Sequence, residues 1–315
     1  MGIWYIITMK VIISDTHFGI RQNSLTWLKS QEDFVYNQLI PFMMSTSEFI
    51  TLVHLGDVFD SRSSVSTYVA SRVIKMFDTL KKIANEVIVV SGNHDFYSPN
   101  SDEVDTNTLL LKQIGITVVS NDVYVNGKDL YVPWYMWFEQ DYLQSVIDKY
   151  HITNVFTHAD LVTEPVKISG PRIFSGHIHT PNFNGKLMTL GSTYSLTFAD
   201  ANQERGFYVL DEKGLNFYPN TKSIRFWKFS DIPTEKVSQF DYINLYISKS
   251  NLQNEEYMSR LKDWIKDKRN CQVFPIDDTQ SSNIDVSDTN YNITDICKDL
   301  IPDYLKEKFL KITVE

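Results

Sequence analysis

The chain has 315 residues, 43% hydrophobic and 22% charged. That is a globular balance, which excludes a disordered or collagen-like polymer and suggests about two domains. A net charge of −9 argues against a protein that coats nucleic acid by bulk electrostatics, but not against one that gathers positive charge in bound metals. The two cysteines, Cys271 and Cys297, form neither a zinc knuckle nor a disulfide framework. They fit a reducing compartment, the cytoplasm, or a host cytoplasm if the source is viral.

From the N-terminus, the apolar run 3–13 is interrupted by Lys10 and is too short to span a bilayer. It also lacks the basic start and cleavage site of a signal peptide, so no membrane partner is expected. Met9 heads a strand-like run, and residues 1–8 read as an extension from an earlier start. Short strands rich in Val, Ile and Phe are expected at 10–14, 50–55, 87–91, 129–132, 154–157 and 172–175. Helices are expected between them at 65–83, 105–114 and 138–150. The first carries Val69, Val73, Ile74, Phe77 and Leu80 on one stripe.

Strands alternating with helices predict an α/β domain. From 186 to 227 the helices stop, and the runs 187–190, 206–210, 215–218 and 224–229 read as a consecutive antiparallel meander. Pro233 marks a boundary near 230–235, dividing a first domain, 1–230, from a second, 231–315. The second domain reads as strand 242–247, helix 254–268, strand 271–276, a polar loop 277–292 and a final helix 293–310.

Five clusters recur at the C-terminal ends of the expected strands, where open α/β sheets bind ligands. They are Asp15-Thr-His17-Phe-Gly19, Gly56-Asp57-Val-Phe-Asp60, Gly92-Asn93-His94-Asp95, Thr157-His158 and Gly176-His177-Ile-His179. Each alone has a plainer reading as a turn, a helix cap or a core histidine. Together, carboxylate, imidazole and an Asn carbonyl suit a pair of divalent ions, Mn²⁺, Fe²⁺ or Zn²⁺ before calcium. With Asp57 shared, one ion takes Asp15, His17 and His179, and the other takes Asn93, His158 and His177. Two dications against two ligand carboxylates leave the site positive, favouring an anionic phosphate. Such a pair activates water and stabilises both oxygens of an in-line displacement. His94 is left without a metal and is the candidate proton donor to the departing oxygen. The remaining histidines, His54 and His151, are assigned to the fold.

The ordered set Asp-x-His, Gly-Asp-x-x-Asp, Gly-Asn-His-Asp, His and Gly-His-x-His resembles the calcineurin-like metallophosphoesterases. Within them it is most similar to the SbcD-type nucleases of DNA double-strand-break repair, phage recombination nucleases in particular. Supporting residues are Gly56-Asp-Val-Phe-Asp-Ser-Arg62, Val132-Pro-Trp134, and Arg205-Gly-Phe207 after Gly191-Ser192.

The resemblance covers about residues 9–230. It implies a four-layer α-β-β-α sandwich with a small C-terminal α/β capping domain. It implies two Mn²⁺ ions, with Mg²⁺ as a substitute, on the seven residues named above. It also implies 3′-to-5′ exonuclease and single-strand endonuclease activity on DNA, and an SMC-like, SbcC-type ATPase partner. Phe18 stands where the family usually has Leu, and the Asp-Arg-Gly of the phosphoprotein phosphatases is missing after Gly56. A homodimer contact would involve helix 65–83, whose plainer role is to pack on its own sheet. With 11 basic and 16 acidic residues, the second domain offers no strongly basic face. Two other functions are weighed: a phosphatase or phosphodiesterase for small molecules, and a DNA-end tethering module without catalysis, whose signature would be a missing ligand.

Overall fold

The computed structural model describes residues 8–98 and 101–277. The expected extension 1–8 (but for residue 8), the polar loop beyond Asp277, the helix 293–310 and Cys297 lie outside the described residues.

In chain order the strands are β1 (Thr8–Ile13), β2 (Phe49–His54), β3 (Glu86–Val90), β4 (Phe96–Ser98), β5 (Ser101–Asp105), β6 (Thr117–Val119), β7 (Tyr124–Asn126) and β8 (Asp129–Val132). They continue with β9 (Asn154–Thr157), β10 (Arg172–Ser175), β11 (Asn182–Asn184), β12 (Leu187–Thr189), β13 (Gly206–Asp211), β14 (Gly214–Pro219), β15 (Phe226–Phe229), β16 (Tyr242–Ser248) and β17 (Asn270–Ile276). Two six-stranded sheets run in the orders β14-β13-β1-β2-β3-β6 and β11-β12-β10-β9-β8-β7. Each has a parallel centre: β1, β2, β3 and β6 in the first, and β8, β9, β10 and β12 in the second. Antiparallel strands close the edges.

Alternation along the strands sorts side chains between layers, because successive residues of a strand face opposite sides. Ile12, Val53, Ile88, Val90, Tyr131, Phe156 and Phe174 form one core, while their neighbours Val11, Ile13, Leu52, Val87 and Val89 join another with the helices. Leu130, Val132, Val155 and Ile173 pack with Leu143, Val146 and Ile147 of helix Gln140–Tyr150 in a third. The result is helix, sheet, sheet, helix, the four layers expected. Tyr131, Phe156 and Phe174 stack in series at centroid distances of 5.1 and 5.2 Å. Within the same domain, Lys10 pairs with Asp129 across the sheets at 2.6 Å.

Helix Thr67–Ile83 is capped by Ser66, whose hydroxyl accepts from the Val69 amide. It buries Val69, Val73, Met76, Phe77 and Leu80, so its apolar stripe is consumed by its own domain, with Met76 rather than half-buried Ile74 completing it. The helical run Leu25–Met44, with one π turn at Val35–Leu39, was not expected. Pro41 reads as a breaker, yet here it occupies the first turn of a helical segment, where its missing N–H costs little.

The meander expected over 186–227 does not form. β12 joins the second sheet parallel to β10, β13 and β14 form a hairpin on the first, and β15 opens a third sheet, β15-β16-β17. Period-two alternation marks a strand but does not name its partner.

The chain clusters into two compact units. One is Met1–Trp227 with Glu235–Ile243 and Asp267–Asn270; the other is Lys228–Thr234, Asn244–Lys266 and Cys271–Glu315. In the second, Leu245 and Ile247 are buried and Tyr246 stacks on Phe274. Asn254 caps helix Glu255–Ile265 by accepting from the Tyr257 amide. Among the described residues, no helix is long and apolar enough to cross a membrane.

Candidate metal centre

The parallel strands β1, β2, β3, β9 and β10 end side by side, and the loop after each supplies one cluster. The loops after β1 and β2 continue the pairing as a short ladder: the Asp15 amide donates to the Gly56 carbonyl (3.0 Å), His17 to Asp57 (3.1 Å) and Phe18 to Val58 (2.8 Å). Inside this ladder Asp15, His17 and Asp57 hold φ of 50°, 45° and 54°, and across the site His177 holds 70°. Left-handed backbone costs such residues roughly 1–3 kcal/mol each and persists where the surroundings impose it. Here it turns four candidate ligands into one space.

Two glycines keep that space open. A Cβ on Gly56 would lie 2.6 Å from His158 Nδ1, and one on Gly176 would strike Ser14 Oγ and lie 2.7 Å from Asp15 Oδ2.

All eight expected residues converge. His158 Nε2 lies 3.3 Å from Asp57 Oδ2 and 3.1 Å from Asn93 Oδ1. His177 Nδ1 lies 3.0 Å from the same Asn93 oxygen. His179 Nε2 is 3.7 Å from Asp15 Oδ1, and His17 Nε2 is 3.7 Å from Asp57 Oδ2. Ligand atoms of Asp15, His17 and His179 lie within 4.8 Å of one another, as do those of Asp15, Asp57 and His158 and those of His17, Asp57 and His94. Asp15, Asp57 and His158 are buried; Asn93, His94, His177 and His179 face a cavity of about 240 Å³.

Whether this set fits cations is decided by its unspent polar atoms. Asp15 Oδ1 and both ring nitrogens of His17 are buried without a well-aligned hydrogen-bond partner, although Nδ1 of His17 lies 3.3 Å from the Asp60 carboxylate. Buried polar groups are almost always satisfied, and a dication would satisfy Asp15 Oδ1 and His17 Nε2, with His17 Nδ1 left to Asp60. His158 adds a further sign. Its Nδ1 lies 2.7 Å from the Leu55 carbonyl and so carries the proton, leaving Nε2 as an acceptor toward the site, the arrangement of a metal-bound imidazole.

The carboxylates draw positive charge to the rings, so an incoming metal would displace a proton from His158 Nε2. Burial lowers the proton affinity of His158, but Asp57, by charge and hydrogen bond, then Asp15, raise it to about 9. Burial works against the Asp57 anion, yet His158 and His17 hold its carboxyl well below the usual carboxylate range. His17 is raised despite burial, by Asp60, Asp57 and Asp15. Burial lowers His177 and His179, which favours neutral, ligating rings.

Two carboxylates of these motifs do work that was not anticipated. Asp60 takes His94 Nδ1 on its backbone carbonyl at 2.7 Å, while its side chain faces His17. It therefore orients both rings and leaves His94 Nε2 as the free nitrogen. Asp95 is buried and accepts from the amides of Asp57 and Gly92 (2.8 Å each), Val58 (3.0 Å) and Phe59 (3.4 Å), tying the β2 and β3 loops together. Burial and the Asp57 charge push its carboxyl up to about 8, against those amides. Only the Gly-Asp-x-x-Asp and Asn-His-Asp spacings signal either role.

His54 is buried under the site. Nδ1 accepts from the Gly56 amide (3.2 Å), and Nε2 meets Thr16 Oγ1 at 2.9 Å. His151 closes helix Gln140–Tyr150 in a left-handed conformation.

Similar proteins carry related names. Exonuclease subunit 1 of Enterobacteria phage T4 is 21% identical over 232 residues, 67% of this chain and 68% of its own length. The DNA double-strand break repair protein Mre11 of Nanoarchaeum equitans is 24% identical over 276 residues, 70% of this chain and 71% of its own. The crystal structure of the Pseudomonas putida nuclease MPE aligns at 16% identity, covering 57% of this chain and 66% of that one, with a TM-score of 0.33, from which we draw nothing. The family model of the calcineurin-like phosphoesterases matches residues 10–274, the stretch that supplies every loop of the centre. The chain belongs to that family of metal-dependent phosphoesterases.

Proposed function

We propose that the protein is a two-metal DNA nuclease subunit, a 3′-to-5′ exonuclease on ends and an endonuclease on single strands, working in DNA repair or recombination. Asp15, His17, Asp57 and His179 would hold one ion, and Asp57, Asn93, His158 and His177 the other, most readily Mn²⁺. Residues 231–315 would form a cap that positions DNA. An SMC-like, SbcC-type ATPase would be the partner, with a second copy of the chain as a further one, in the cytoplasm of the cell or host. The observation that carries this reading is the buried, unspent pair of atoms Asp15 Oδ1 and His17 Nε2 beside the Asp57–His158 pair. The names of the phage and archaeal relatives support DNA as the substrate.

When bound, the ions would supply Lewis acidity and an activated water. The chain's own groups do the rest. Asp57, between both halves of the donor set, would be the carboxylate shared by the two cations. Asp60, through its carbonyl, fixes the His94 ring so that Nε2 can pass a proton to the departing 3′ or 5′ oxygen. Ile20, Leu196 and Thr197 form one side of the same cavity.

The test is incubation of purified protein with end-labelled duplex and single-stranded DNA in Mn²⁺, Mg²⁺ or chelator. Metal-dependent cleavage with release from the 3′ end is expected. Turnover of aryl phosphodiesters with DNA left intact would favour a small-molecule phosphodiesterase. Tight DNA binding without turnover in any metal would favour a tethering module.

A further inference from the structure

The first compact unit holds a second, larger cavity of about 910 Å³, lined by the outer side of helix Leu25–Phe34 and by the segments 221–227, 236–241 and 269. Five cations reach it: Lys29, Lys222, Arg225, Lys236 and Arg269. None of the five has an ion-pair partner among the described residues. Of the three carboxylates that line the same space, Glu32 is in an ion pair with a residue outside it, and Asp33 and Asp241 accept from neutral donors that line it themselves. Glu32 holds Arg72 at 2.5 Å, Asp33 accepts from Asn37, and Asp241 accepts from the Arg225 and Ser238 amides and from Trp227 Nε1. In a chain of net charge −9, a groove with five cations against three carboxylates, one of them already paired, is a local reversal of sign.

The arginines are also pre-oriented. The Arg225 guanidinium lies over the Trp227 ring at 4.4 Å, and that of Arg269 over Phe240 at 4.8 Å. A guanidinium stacked on a ring keeps its edge, a planar fork of N–H donors, free for a bidentate acceptor such as phosphate. The lysines add point charges on long side chains, which can follow a backbone. The Tyr36 ring, partly packed on the core, also lines the groove, and its remaining surface offers an unpaired base a stacking contact that a carboxylate-bearing peptide would not use.

We propose that this groove is a nucleic-acid track, which takes the phosphodiester backbone of a single DNA strand on Lys29, Lys222, Lys236, Arg225 and Arg269. The assignment of DNA rests on the nuclease reading above; the demand for a polyanion rests on the groove itself.

The experiment compares the full chain with the triple variant Lys29→Glu, Lys222→Glu, Lys236→Glu, whose side chains make no hydrogen bond among the described residues. Affinity for a labelled single-stranded oligonucleotide is measured in chelator across a salt series, and hydrolysis of bis(p-nitrophenyl) phosphate is measured in Mn²⁺. Each lost phosphate contact lowers the log–log salt slope by about 0.7 on single strands. The triple variant should therefore lose roughly two units of slope and at least tenfold in affinity at low salt, with small-diester turnover within twofold of the parent.

The pair Arg225→Lys, Arg269→Lys keeps the charge and removes the forks, and should bind several-fold more weakly at unchanged slope. Unchanged oligonucleotide affinity and slope in the triple variant, with DNA still cut, would overturn the groove and leave the nuclease reading standing. Groove-dependent binding by a chain that cuts no DNA in any metal would keep the track and overturn the nuclease. Polyglutamate binding as tightly as the oligonucleotide would overturn nucleic acid as the occupant.

Discussion

The small cavity at the strand ends is lined by carboxylates, imidazoles and an amide, with no lysine or arginine, whereas the groove along helix Leu25–Phe34 is lined by five of them. Both are suited to a phosphodiester, but the sources of positive charge differ. At the centre it has to arrive with ions, so it depends on metal supply and on the protonation of His158 and His17. In the groove it is covalent, and only salt weakens it. Chelator should therefore switch off one region and ionic strength the other, and each substitution below should fall on one side of that line.

The largest effect is expected from Asp57→Asn, which removes the carboxylate nearest to both halves of the donor set. Loss of several kcal/mol of charge stabilisation amounts to roughly a thousandfold or more in kcat/KM on any phosphodiester. Equilibrium dialysis should show a lower metal stoichiometry, with oligonucleotide binding in chelator untouched. Next, His94→Gln should lower turnover by about 10²–10⁴-fold while both ions stay bound. A variant with normal turnover would remove His94 from the chemistry. Asp60→Asn, which removes the carboxylate facing His17 but keeps the backbone carbonyl that holds His94, should cost about 10–100-fold in metal affinity or activity.

The smallest effect concerns stability. Burial and then His158 hold His54 down to about 3, against an ordinary value near 6.5. Between those pH values the unfolded chain binds a proton here and the folded chain does not, so stability falls as pH drops, by up to about 1.4 kcal/mol per pH unit. His17 and His158 are raised and act with the opposite sign, so only a difference isolates His54. Unfolding free energies from urea titrations at pH 7.5 and 5.5, in chelator, should show a change on acidification that is less favourable for the parent than for His54→Gln by about 1 kcal/mol. Equal changes would show that His54 is free to charge in the folded protein.

The centre was readable from sequence because its residue types are scarce. Histidine occurs seven times, and five of those fall in the clusters that follow β1, β3, β9 and β10. Short Val- and Ile-rich runs likewise marked β1, β2, β3, β9 and β10 to within a residue or two. What could not be read was pairing and support. Leu187–Thr189 looks the same whether it extends a meander or lies parallel to β10. Asp60 and Asp95 look like turn residues until the groups that donate to them are seen. The helical run Leu25–Met44 was hidden by Pro41, although Trp27, Leu28, Gln31, Phe34 and Val35 share one buried face. The groove was invisible because Lys29, Lys222, Lys236 and Arg269 are far apart in the chain and belong to a net acidic molecule.

The central claim is that Asp15, His17, Asp57, Asn93, His158, His177 and His179 hold two ions in one pocket. Anomalous diffraction from crystals soaked in Mn²⁺ tests it most directly. We expect two peaks, one bounded by Asp15, His17 and His179, the other by Asn93, His158 and His177, with Asp57 between them. A single peak, or manganese bound elsewhere while these side chains stay apart, would contradict it.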